Sequence, residues 1–144
     1  EPNELWVSLL EKAYAKLHGS YAAIRAGDPA MALADMVGGP YLKFKDHPAW
    51  DGDDDAFYKF LMKCDDDDHL MTLGTPGSDT TNYAGGGGGG GAGDAAALAD
   101  KYKAVGLVTG HAFSLIRVKE YKGKKLCMIR NPWGDEKEWN GAWS

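Results

Sequence analysis

The sequence predicts an α+β fold, with an antiparallel hairpin near its C-terminal end and helices ahead of it. Two observations lead there. Through residues 5–64, apolar side chains recur at helical spacing between recognisable caps. From Leu107 the period changes to alternation, and Tyr121-Lys122-Gly123-Lys124 interrupts it with a turn. Helices followed by a paired-strand unit make the α+β pattern. At 144 residues the chain is near the size of one domain, so residues 1–144 are expected to form a single one.

The first helix spans residues 5–18. Trp6, Leu9, Leu10, Ala13 and Leu17 form one continuous stripe, expected to be its buried face. Asn3 suits the N-cap, and Gly19 supplies the stop. A second helix opens at Asp28-Pro29, a cap followed by Pro at the first helical position, and breaks at Gly38-Gly39. Residues 40–52 read as loop. A third helix starts at Asp53-Asp54-Asp55, whose carboxylates suit the positive end of the macrodipole. Phe57, Phe60, Leu61 and Cys64 form its buried face, and the acidic run Asp65–Asp68 marks its end.

His69 to Leu73, bounded by Gly74, reads as a short strand. Residues 85–93 are all Gly except Ala92. Ordering each Gly would cost about 1–2 kcal/mol of backbone entropy with no side chain to bury. A disordered Gly-rich loop is therefore expected at about 83–94. Asp94 to Tyr102 reads as either a short helix or more loop. Leu107–Val118 is a strand with His111, Phe113, Leu115 and Arg117 on one side, and Leu126–Asn131 is its hairpin partner.

The register of that hairpin matters. If paired residue numbers sum to 242, His111 lies opposite Asn131; a sum of 244 makes them diagonal on one face. An odd sum puts them on opposite faces. The turn residues alone do not choose.

Composition excludes several classes of function. A net charge of −5 argues against nucleic acid as a partner. Two cysteines, Cys64 and Cys127, are too few for a disulfide scaffold and read as free thiols. No apolar run approaches the roughly 20 residues of a transmembrane segment, and the N-terminal residues do not form a signal peptide. The chain begins at Glu1 rather than Met, so it is expected to be part of something longer.

His111 and Asn131 are the candidate chemistry. Together they suit the base-and-orienter half of a cysteine protease site, where the imidazole takes a thiol proton and an amide oxygen fixes the ring tautomer. Trp133, two residues on, could shield that hydrogen bond from water. By spacing alone, the pair also reads as a strand-end His and a turn-forming Asn-Pro.

Residues Glu4-Leu-Trp-Val-Ser-Leu-Leu-Glu-Lys-Ala-Tyr-Ala-Lys-Leu-His-Gly-Ser-Tyr21 closely resemble the first helix of the second half of the calpain protease core. Gly110-His-Ala-Phe-Ser114 resembles that family's catalytic-His strand. Ile129-Arg-Asn-Pro-Trp-Gly134, followed by Glu138-Trp139 and Gly141-Ala142-Trp143, resembles its catalytic-Asn strand and the segment after it. Asp35-Met36-Val37-Gly38-Gly39 is a weaker match. The resemblance implies a papain-like right-half subdomain, an antiparallel sheet with flanking helices. It implies His111 as general base, Asn131 as orienter, and Trp133 and Gly110 as shield and cleft wall. Such proteins are intracellular, cytoplasmic cysteine endopeptidases, commonly calcium-dependent, that act on polypeptide.

The family's nucleophile lies in an upstream Cys-bearing half. Cys64 and Cys127 do not fit that role; both read as small core hydrophobes. The chain alone is therefore expected to be inactive. Glu138 resembles a position that supplies a calcium ligand in conventional calpains, with spacing one residue longer here. Calcium needs six to eight oxygens, so a site in this chain would be incomplete. The acidic runs at 51–55 and 65–68 lack the spacing of a helix–loop–helix site and read as solvated surface. Cys64 and His69 lack a second pair of zinc ligands. The Gly tract contains G-x-G-x-x-G only because everything there is Gly. Two functions remain in view: half of a calpain-like protease, or a non-catalytic interaction module on the same fold.

Overall fold

A computed structural model of the chain describes residues 4–25, 27–44, 52–76, 92–133 and 138–144. The elements are α1 (Trp6–Leu17), a 3-10 turn at Ala22–Ile24, α2 (Pro29–Val37), α3 (Asp54–Asp66), β1 (Met71–Gly74), α4 (Ala92–Ala104), β2 (Ala112–Tyr121) and β3 (Lys124–Arg130). The three strands form one antiparallel sheet in the order β1-β2-β3. This is an α+β fold consistent with a papain-like half domain. No helix among the described residues is long and apolar enough to cross a membrane.

Local signals set the helix ends. The Asp28 carboxylate accepts the Ala30 N–H at 2.8 Å, Pro29 takes the first helical position, and Gly38 closes α2 in the left-handed conformation at φ 72°. Asp53 caps α3 in the same way, accepting from Ala56 N–H at 2.8 Å. α3 ends where the acidic run begins to oppose its dipole, with Asp68 at φ 56°. For α1 the structure places Leu5 at the N-cap with no side-chain bond, and Asn3 lies outside the described residues.

The predicted face of α1 is not the buried one. Trp6 is 62% exposed, Leu9 63% and Leu17 69%, whereas Ala15 is buried. α1 instead meets α2 through polar groups: the Tyr14 hydroxyl donates to Asp35 Oδ2 at 3.0 Å, and His18 Nε2 lies 3.1 Å from the same oxygen. Periodicity identifies a helix with an apolar side. It does not say whether anything in the same chain covers that side.

The sheet carries the core. Phe113, Leu115 and Val118 of β2 are buried, joined by Cys64 of α3. α3 is tied to the strands by backbone-directed side chains. Asp65 Oδ2 accepts the Val118 N–H at 3.0 Å, so one carboxylate of the acidic run serves the sheet rather than solvent. The Tyr58 hydroxyl accepts the Leu126 N–H at 3.1 Å and donates to the Leu126 carbonyl at 3.3 Å. Phe44 stacks edge-on to Phe60 at 4.8 Å.

β2 starts at Ala112, five residues later than the sequence predicts. Gly106 and Gly110 take φ of 78° and 62°, which interrupts the extended backbone ahead of His111. β1 likewise starts at Met71, with His69 and Leu70 exposed before it. The hairpin turns through Lys122 and Gly123 at φ 49° and 70°, the positive pair of a type I′ turn. Pairing runs from Tyr121↔Lys124 to Arg117↔Met128, then slips at Ile116 to Leu115↔Ile129 and Ser114↔Arg130. This bulge also moves the buried positions from odd to even numbers, so Arg117 is exposed and Val118 takes the core.

Most of the Gly-rich segment expected at 83–94 lies outside the described residues; Gly93 and Asp94 fall within α4. Past β3, the segment 138–143 docks on the turn after α4. Asn140 N–H donates to the Val105 carbonyl at 3.1 Å, and a Cβ at Gly106 would collide with the Glu138 carbonyl oxygen. Trp139 Nε1 donates to the Ala142 carbonyl at 2.9 Å.

Candidate active site

His111 directly precedes β2 and Asn131 directly follows β3, so the open end of the hairpin presents both. His111 Nε2 lies 2.8 Å from Asn131 Oδ1. The Trp133 backbone N–H also donates to that Oδ1, at 3.2 Å. A backbone N–H can only donate, so this bond identifies the amide atom as oxygen. Oxygen can only accept, so Nε2 must carry the ring proton. In the neutral imidazole that leaves Nδ1 with its lone pair available, the state a general base requires.

Aromatic rings border the imidazole on two sides. Trp133 lies 4.4 Å away between centroids, tilted by 50°, and is 44% exposed. Buried Phe113 meets the ring edge-on at 4.6 Å and 85°. Both His111 and Asn131 are half-buried. Low-dielectric walls beside a hydrogen bond strengthen it and limit competition from water.

The backbone beneath His111 is held by Thr75, just past β1. Thr75 N–H donates to the His111 carbonyl at 2.9 Å, and the His111 N–H donates to Thr75 Oγ1 at 3.0 Å. The sequence offered no hint of Thr75, which lies 36 residues from His111 in a stretch without a motif. Gly110, predicted as cleft wall, is exposed; its N–H donates to the Pro76 carbonyl at 3.0 Å.

A cavity of about 180 Å³ is lined by Tyr14, Ile24, Asp28, Pro29, Met31 and Ala112. Ala112 is the one residue of β2 that lines it, and neither His111, Asn131 nor Trp133 does.

Neither thiol joins the pair. Cys64 is buried in α3, and loss of solvent, reinforced by Asp67, pushes its thiol above the ordinary range. Cys127 stands on the outer strand and is more exposed than a core residue, contrary to expectation; partial loss of solvent at its sulfur acts in the same direction. A nucleophilic cysteine needs its thiolate favoured, and both environments oppose that. Glu138 is exposed, and no three His, Cys, Asp or Glu side chains come together as a metal site among the described residues.

The family model for calpain family cysteine proteases matches residues 1–144. The chain is 39% identical over 145 residues to the calpain-type cysteine protease DEK1 of Zea mays, covering 99% of this chain and 6% of that protein. It is 35% identical over 148 residues to calpain clp-1 of Caenorhabditis elegans and 32% identical over 154 residues to Calpain-A of Drosophila melanogaster. Those matches cover 99% and 100% of this chain, and 16% of each relative. The chain therefore spans between about a twentieth and a sixth of the length of the relatives it matches. A match across the whole chain, with an imidazole and an amide paired at the mouth of an antiparallel hairpin, leads to one conclusion: this chain belongs to the calpain family of cysteine proteases.

Proposed function

We propose that this chain is the His/Asn half of a calpain-like cysteine endopeptidase, completed by a Cys-bearing half upstream and inactive without it. The observation that carries this reading is the 2.8 Å contact between His111 Nε2 and Asn131 Oδ1, which leaves Nδ1 as the base. In the completed site, Nδ1 accepts the thiol proton and the thiolate attacks the substrate carbonyl. The imidazolium then returns the proton to the leaving amine, and water hydrolyses the thioester in a second cycle. Asn131 holds the ring through both cycles, because each needs the same nitrogen facing the reaction. Trp133 covers one side of the pair, and Gly110 forms part of the cleft wall.

Calcium dependence of the whole protein is part of the proposal and rests on family membership, with Glu138 as one candidate ligand. Two free cysteines suit the cytoplasmic setting we assign to it.

The test is cleavage of an unstructured polypeptide by the complete protein, with calcium and with chelator, beside His111→Ala. Calcium-dependent cleavage that His111→Ala lowers on the order of 10⁴-fold or more supports the reading. A well-folded complete protein that cleaves nothing overturns it in favour of a non-catalytic interaction module.

A further inference from the structure

We propose that Thr75 is a positioning residue for the site: its side-chain hydroxyl sets the backbone from which the His111 imidazole is aimed. The proposal rests on the reading of His111 as the base.

β1 and β2 pair from Met71↔Leu115 to Gly74↔Ala112. The same register carried one residue further puts Thr75 opposite His111, beyond the end of either strand. Half of the next rung is made normally, by Thr75 N–H donating to the His111 carbonyl at 2.9 Å. In a regular hydrogen-bonded pair the His111 N–H would return to the Thr75 carbonyl. Here it goes to Thr75 Oγ1 at 3.0 Å. The hydroxyl has one proton, and the shorter of its two acceptor contacts is the Val108 carbonyl at 2.6 Å; the His111 carbonyl is at 3.2 Å. Oγ1 therefore accepts from one end of the Val108–His111 turn and donates to the other. One side chain closes the turn and fixes the peptide on which His111 stands.

The arrangement is needed because of what precedes His111. Gly110 sits at φ 62° and is the most permissive residue a chain can place there. Its own N–H is bonded to the Pro76 carbonyl, again from the segment that carries Thr75. Both backbone polar groups of His111 are bonded to Thr75. The imidazole needs its orientation held within roughly 10–20° to keep Nε2 on Asn131 Oδ1, and that tolerance is set at the backbone.

Three variants separate hydroxyl chemistry from side-chain bulk. Thr75→Ser keeps Oγ. Thr75→Val keeps the volume and removes the hydroxyl. Thr75→Ala removes both and leaves room for a bridging water. The first readout needs no proteolysis: long-range ¹⁵N–¹H spectra of the histidine-labelled chain, with the His111 signal identified by its loss in His111→Gln. The expected wild-type signal is a single Nε2–H tautomer. Ser should retain it, Ala should mix the tautomers in part, and Val should mix them most. The second readout is kcat and KM of the complete protein. There Val is expected to lower kcat on the order of 100-fold with KM within about two-fold, and Ser to restore it.

If Val fails to fold, Ser against Ala still decides. An unchanged tautomer in Ala and Val, or the reverse order with Val tolerated and Ser impaired, overturns the proposal. A complete wild-type protein without peptidase activity overturns the proposed function instead, since the spectra report on Thr75 and His111 by themselves.

Discussion

His111 and Asn131 meet across a hairpin whose turn, continued regularly, would set them on opposite faces. Next to the turn, paired residue numbers sum to 245, as in Tyr121↔Lys124. At that sum, His111 and Asn131 point to opposite sides of the sheet. The slip at Ile116 lowers the sum to 244, as in Ser114↔Arg130, and makes the two residues diagonal neighbours on one face. In this sequence the slip, five positions from the imidazole, is what returns the two residues to one face.

Deleting Ile116 should remove the bulge without undoing the pair. Arg117↔Met128 would then be followed directly by Leu115↔Ile129, so the pairings on both sides of the slip are kept and Phe113, Leu115 and Val118 fall on one face. The expected result is a folded protein that keeps the Nε2–H tautomer preference at His111. Loss of that preference would show that the extra twist of the bulge, rather than the register beyond it, aims the two side chains.

Asn131 and Trp133 should differ in what they contribute to cleavage by the complete protein. Asn131→Ala frees the ring to adopt the wrong tautomer or orientation, and a fall in kcat on the order of 100-fold is expected. Trp133→Ala leaves the bond in place and exposes it to water. Weakening one hydrogen bond by about 0.5–1.5 kcal/mol corresponds to a fall of about 3–10-fold. Equal effects would show that the indole does more than shield.

Acid should act on the cap of α2. Burial works to raise the Asp28 carboxyl, but the Lys43 ammonium and the Ala30 and Met31 amides outweigh it and hold the carboxyl below its ordinary range. A depressed folded value means stability that is complete above the unfolded pKa and disappears as pH falls through the folded one. Asp28→Asn keeps a good cap and removes the charge. It should be less stable than wild type by about 0.3–1 kcal/mol at neutral pH. That gap should close below about pH 4, read from denaturant midpoints across the range. A gap that persists unchanged in acid would assign the loss to geometry rather than charge.

Gly106→Ala should release the segment after the site. Its φ of 78° strains any side chain, by about 1–2 kcal/mol, and the added Cβ meets the Glu138 carbonyl. Faster amide exchange at Asn140, whose N–H is bonded to Val105, is the expected signature. Unchanged protection there would show that the segment is held by its tryptophans instead.

What could be read in advance follows from how far each signal reaches along the chain. Asp28-Pro29 and Gly38 bound α2, and Asp53 starts α3, because a cap satisfies backbone groups two or three residues away. Lys122-Gly123 marks the turn for the same local reason. The strings around His111 and Asn131 are likewise continuous, so the residues of the pair and the family were legible before any coordinates.

By itself, then, the sequence determined the first three helices, the hairpin, the identity of the paired residues and the family, while it left α4 open between helix and loop. Tertiary structure decided three further things. It chose the register, because a bulge is set by what Phe113, Leu115 and Val118 can bury together rather than by the turn. It brought in Thr75, because a hydrogen bond across 36 residues leaves no periodic trace. And it left Trp6, Leu9 and Leu17 of α1 exposed, because an apolar stripe records that a surface avoids water, while only the assembled chain shows what, if anything, stands against it.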